Sequence, residues 1–137
     1  MKKATFLLLS VALVLSLTAC ASNIKLADGF SEEEVIAHAK SCVQNTNALD
    51  FDAVVAGLRE DLQTQVTAES LENNWWHLLK EAGKFDDYKT IVVYGAKDKT
   101  TQEDYAVCVL VCKYENKNRT FTLSMDKNYE LIGLYMK

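Results

Sequence analysis

Trp75, Trp76 and His77 form the one dense run of side chains that could recognise or activate a ligand. Aromatic rings anchor apolar groups, and an imidazole can move a proton. Adjacent helical residues point about 100° apart, so the three cannot face one pocket. Trp75 shares a stripe with Leu71, Leu78 and Leu79 and reads as a core side chain. Trp76 projects off that stripe, against a sheet rim or toward a partner. His77 reads as a partly exposed helix histidine, because a general base needs a third group to orient it and a substrate proton in reach. Tyr94, Tyr105 and Tyr114 are ligand or partner candidates in the second half of the chain, beside Tyr129 and Asp104. None sits at a spacing that singles it out, and strand tyrosines usually pack with a hydrogen-bonded tip. His38 and Cys42 lie one helical turn apart, but a reactive thiolate needs an exposed, electropositive setting. Glu32, Glu33 and Glu34 oppose that. No catalytic residue and no cofactor is assigned.

Four cysteines are present, and the first stands apart. Lys2 and Lys3 precede an apolar run from Phe6 to Leu17, which ends in Leu17-Thr18-Ala19-Cys20. A basic start, a short apolar stretch and small residues are the layout of a secretory signal. The closing residues resemble the lipobox of bacterial lipoproteins. That resemblance implies cleavage between Ala19 and Cys20, a diacylglyceryl group on Cys20, and anchorage at the extracytoplasmic face of a bacterial membrane. Residues 1–19 would be the signal peptide and residues 20–29 a tether. Plain secretion is the alternative, since small-x-small sequences also serve the ordinary signal peptidase. A spanning helix needs about 20 apolar residues, more than this run supplies.

Cys108 and Cys112 are four residues apart in an extended segment, which puts their α-carbons about 13 Å apart. A disulfide tolerates about 7 Å, so they should not pair with each other. Either could meet Cys42, but we read all three as small buried hydrophobes. No Cys-x-x-Cys pair sets metal-ligand spacing, and both histidines are distant in sequence, so no metal site is expected.

The formal charge is −4 over 137 residues. Loss of residues 1–19 would remove Lys2 and Lys3 and lower it to −6. A nucleic-acid surface needs a basic stripe, and no Lys/Arg cluster follows Cys20, so no nucleic-acid partner is expected. A chain of this size normally builds one core, placed here in residues 30–137.

The first half carries helix signals. Ser31 to Glu34 reads as a capping box, with Glu34 reaching back to Ser31, and Phe30 with Val35 as a staple. Val35, Ile36, Ala39, Cys42 and Val43 give a helical face to about Asn45. Asp50 caps a second helix with a stripe from Phe51 to Leu62, bent near Gly57. Thr67 caps a third, which Gly83 ends. The second half carries strands over Lys89 to Ala96, Asp104 to Tyr114, Arg119 to Met125 and Tyr129 to Met136. Short turns between them imply antiparallel pairing. Phe121, Leu123 and Met125 alternate with Thr120, Thr122 and Ser124, so that strand has a dry and a wetter face. The expected class is α+β, with N-terminal helices packed on a curved antiparallel sheet of about four strands.

This order resembles the cone fold of the nuclear transport factor 2-like superfamily. More narrowly, the chain resembles a domain of unknown function, family 3887, found in small lipoproteins of Gram-positive bacteria. The residues concerned are Asp50-Phe51-Asp52-Ala53-Val54, Thr67-Ala68-Glu69-Ser70-Leu71, Trp75 with Gly83-Lys84-Phe85, and Leu131-Ile132-Gly133-Leu134. The resemblance implies the fold and carries no catalytic set. It leads us to expect a non-enzymatic, lipid-anchored binding or interaction module of the cell envelope. Its partner would be a small apolar or peptide ligand, or an envelope protein. The alternatives are a ketosteroid isomerase-like cavity enzyme and an accessory domain acting on an envelope enzyme in trans. Cone-fold domains often dimerise through the sheet, so a homodimer is a further expectation, although no exposed apolar sheet face is readable.

Overall fold

Ser31 opens the first helix as its sequence suggests, its hydroxyl accepting from the Glu34 N–H. The computed structural model in which this is seen describes residues 25–137. The expected signal peptide, Ala19, Cys20 and the first half of the tether lie outside the described residues. Helix α1 is Glu32–Asn47. Glu34 does not close a capping box. The Ser31 N–H instead donates to the Tyr129 hydroxyl at 3.0 Å, a partner 98 residues away. Three glutamates in the first turn suit the positive end of the helix dipole. The buried face is Val35, Ala39, Cys42, Val43 and Thr46, and the Thr46 hydroxyl is satisfied by the Cys42 carbonyl at 2.8 Å.

The expected second helix is two short ones, α2 at Phe51–Ala56 and α3 at Glu60–Gln63. The break has a tertiary cause. The Arg59 N–H donates to the Leu131 carbonyl and the Leu131 N–H to the Gly57 carbonyl, both at 2.9 Å. These bonds pair Leu58 with Leu131 as a short parallel bridge, and local helix propensity yields to them. Helix α4, Ala68–Ala82, opens on a reciprocal cap between Thr67 and Ser70. It ends at Gly83, whose φ of +83° suits a residue without a side chain.

Four strands follow as an antiparallel meander in the order β1-β2-β3-β4: Phe85–Lys97, Asp104–Tyr114, Asn118–Met125 and Leu131–Met136. β1 starts earlier than the sequence pattern indicates, because register shifts at Phe85/Asp87 and Tyr88/Thr90 disrupt its alternation. β4 starts later than Tyr129, which sits in a turn at φ +60°. Asp126 holds that turn by accepting from the N–H groups of Asn128 and Glu130.

The helices cover one face of the sheet. Leu110, Phe121, Leu123 and Met125 are fully buried there against the apolar stripes of α1 and α4. Trp75 joins them as expected, edge-to-face on Phe121 at 6.3 Å. Cys42, Cys108 and Cys112 are free, buried thiols.

Part of the expected tether belongs to this core. Leu26 packs against it, beside Phe30 at the start of the expected domain. The Lys25 backbone lies so close over Gly95 of β1 that a β-carbon there would overlap the Lys25 carbonyl. Residues 25–29 are therefore a strap across the sheet, not a free spacer.

Candidate ligand cleft

A cleft of about 520 Å³ lies where the end of α1, the last turns of α4 and the end of β2 meet. Its rim is built from two exposed apolar side chains. Leu49 follows the α1 cap with φ +58°, a left-handed conformation usually taken by glycine. It is 48 % exposed. For a leucine that conformation is unfavourable by about 1–2 kcal/mol, and here it presents a large apolar group to solvent. Trp76 is 43 % exposed. Its neighbour Trp75 is buried at 7 %, as the angular step of a helix requires. Lys80, one turn on, places its ammonium 4.6 Å from the Trp76 ring centroid, a cation–π geometry.

The floor is Leu79, Phe85 and Tyr114. Phe85 stands edge-to-face on both Tyr88, at 5.0 Å, and Tyr114, at 5.5 Å. The Tyr114 hydroxyl donates to Asn47 Oδ1. Burial raises the Tyr114 pKa further above its ordinary value, so it stays protonated at neutral pH. The Tyr88 hydroxyl, also raised by burial, is enclosed and has no hydrogen-bond partner among the described residues. Lys80 and Lys84 also line it, and among the described residues no carboxylate does.

The structure brings two of the sequence candidates, Trp76 and Tyr114, to this cleft. His77 is exposed on α4 and does not line it. Tyr94 pairs with Val107 and Tyr105 with Ala96 on the face of the sheet away from the helices. Asn47, Leu49, Lys80 and Lys84 are cleft residues that the sequence reading did not single out. Two local signals pointed to them: a leucine where a helix C-terminus favours glycine, and a lysine one turn after a tryptophan.

His38 lines a second, smaller space of about 140 Å³ with Cys42 and Tyr129. Its ring stacks on Tyr129 at 5.1 Å, and Nδ1 lies 2.8 Å from the Glu34 carbonyl. Burial pushes the Cys42 thiol up to about 12, so a thiolate does not form there at neutral pH. Cys108 and Cys112 are pushed up to about 12 for the same reason. These thiols act as packing groups.

Residues 39–134 match the family described as Protein of unknown function (DUF3887). The chain belongs to that family. Every cleft residue, from Asn47 to Tyr114, lies inside the DUF3887 match. No curated protein matches the chain. A solved structure does: the NMR structure of a protein from Ruminococcus gnavus ATCC 29149, at TM-score 0.73 and 23% identity. The alignment covers 82% of this chain and 96% of that one. The DUF3887 fold is thus similar to that of a chain which is almost wholly this domain and which was solved in solution.

Proposed function

We propose that this protein is a non-enzymatic binding module with a cone-fold body, lipid-anchored through Cys20 at the extracytoplasmic face of a bacterial membrane. Its ligand site is the cleft between the α1–α2 turn and α4. The observation that carries the reading is the pairing of exposed Trp76 with strained, exposed Leu49 over an apolar floor. Apolar clefts with a few placed polar groups are the usual form of a ligand site. An isomerase-like cavity would be expected against the helix-covered sheet face. That face is filled by Leu110, Phe121, Leu123 and Met125, which favours binding over cavity catalysis.

Native mass spectrometry of the protein taken from its own membranes tests both halves. The anchor half expects an acylated Cys20 terminus, and Cys20→Ser should remove the acyl mass. The cleft half expects a bound small ligand that Trp76→Ala loses while the fold persists. An unacylated terminus would overturn the first half. A ligand held equally by the Trp76→Ala protein would overturn the second.

A second reading is favoured by a separate observation. Val92 and Tyr135, at 48 % and 60 % exposure, lie with Val109, Val111 and Tyr94 on the sheet face away from the helices. That apolar face suits a second copy of the chain.

A further inference from the structure

We propose that the cleft selects an amphipathic carboxylate: an apolar body seated against Trp76, Leu49, Leu79 and Phe85, with its anionic end held by Lys80 and Lys84. This rests on the binding reading above and adds the charge and class of the ligand.

The chain is acidic, with a formal charge of −4. The two charged side chains that line this apolar cleft are nevertheless both positive. Lys97, Lys113 and Lys117 lie 3.0, 2.8 and 2.6 Å from Asp104, Asp86 and Glu81. Lys80 and Lys84 make no such pair among the described residues. Lys80 lies over an indole ring, which orients the ammonium without neutralising it. The Glu115 carboxylate accepts from the Lys84 backbone N–H at 3.4 Å. It lies beside Gly83 and is not among the residues that line the cleft.

The amide at the floor points the same way. Asn47 Oδ1 is occupied by the Tyr114 hydroxyl, which leaves its N–H₂ end to donate. The side chains at the cleft thus offer two ammonium groups and one amide donor above apolar walls. A carboxylate is an acceptor at both oxygens and matches that inventory. A neutral alcohol can accept one of these bonds but brings no charge to the two ammonium groups, and a protonated amine is repelled by them. The volume of about 520 Å³ accommodates a medium-length acyl chain or a fused aromatic body.

The test compares decanoate with decanol, both below their aggregation limits, on residues 25–137. That segment holds the complete described core, and it is the part of the chain whose fold is similar to that of the Ruminococcus gnavus protein. Calorimetry gives the affinities, and the Trp76 indole N–H resonance reports the place. Two exposed ion pairs support a preference of about tenfold for decanoate. Lys80→Gln/Lys84→Gln should remove that preference, so that decanoate and decanol bind the variant about equally. Both lysines are solvent-exposed, so the variant keeps its fold, which its amide spectrum verifies. Equal binding of both probes at Trp76 would overturn the anion selectivity and leave the apolar cleft standing. Failure of both probes to move Trp76 would overturn the cleft reading with it.

Discussion

Trp75 and Trp76 differ by one position and by almost everything else. Trp75 meets Phe121 inside the core, whereas Trp76 faces solvent under the Lys80 ammonium. Trp75→Ala should therefore lower stability by about 3–5 kcal/mol, the range for emptying an aromatic core site. Trp76→Ala should change stability by under about 1 kcal/mol, since it leaves no cavity. Denaturant melts of both variants check this; equal losses would mean that the helix face is misassigned. This contrast was legible in the sequence because helical periodicity is local. So were the caps at Ser31, Asp50 and Thr67, each of which accepts from a backbone N–H three residues on. The cleft was not legible. Its floor depends on Asn47 meeting Tyr114 across 67 residues, and no local pattern records that meeting.

At the scale of elements, two departures from sequence expectation among the helices share a cause. Each is a backbone group taken by a distant partner: Ser31 by Tyr129, and Gly57 and Arg59 by Leu131. The strap over Gly95 is of the same kind, because one missing side chain lets the Lys25 backbone lie on β1. Gly95→Ala should push that strap off the strand. The expected loss is about 1–3 kcal/mol, as for other overpacked sites. Hydrogen exchange should report it locally: the Phe30 amide, which donates to the Ala27 carbonyl at 3.3 Å, should lose protection while the amides of β2 and β3 keep theirs. Unchanged exchange at Phe30 would mean that the strap is not held by this contact. The strap also limits the anchor. Lys25 is five residue steps from Cys20, and an extended chain spans at most about 3.6 Å per step. A lipid on Cys20 would therefore keep the β1 side of the domain within about 18 Å of the bilayer.

For the whole molecule, the two faces of the sheet pose opposite problems. One is closed by helices. The other was hidden in the sequence because β2 is apolar on both sides: Ala106, Cys108 and Leu110 turn inward, and Val107, Val109 and Val111 turn outward. Continuous apolar strands are typical of sheets covered on both faces, so the composition of β2 anticipates a cover. Val92 and Tyr135 extend that apolar surface onto β1 and β4, with Thr120 and Thr122 of β3 between. A second copy would bury the same patch on both subunits, which is the geometry of a two-fold dimer. Sedimentation should find a concentration-dependent dimer, and Val92→Glu should shift it to monomer, because an unpaired carboxylate is strongly disfavoured in such an interface. Val92 is exposed within one chain, so the substitution should leave the monomer's own melt nearly unchanged. A monomer at all concentrations would remove the second copy as the cover. A dimer that survives Val92→Glu would place the contact elsewhere, with the cleft rim of Leu49 and Trp76 as the next apolar surface to test.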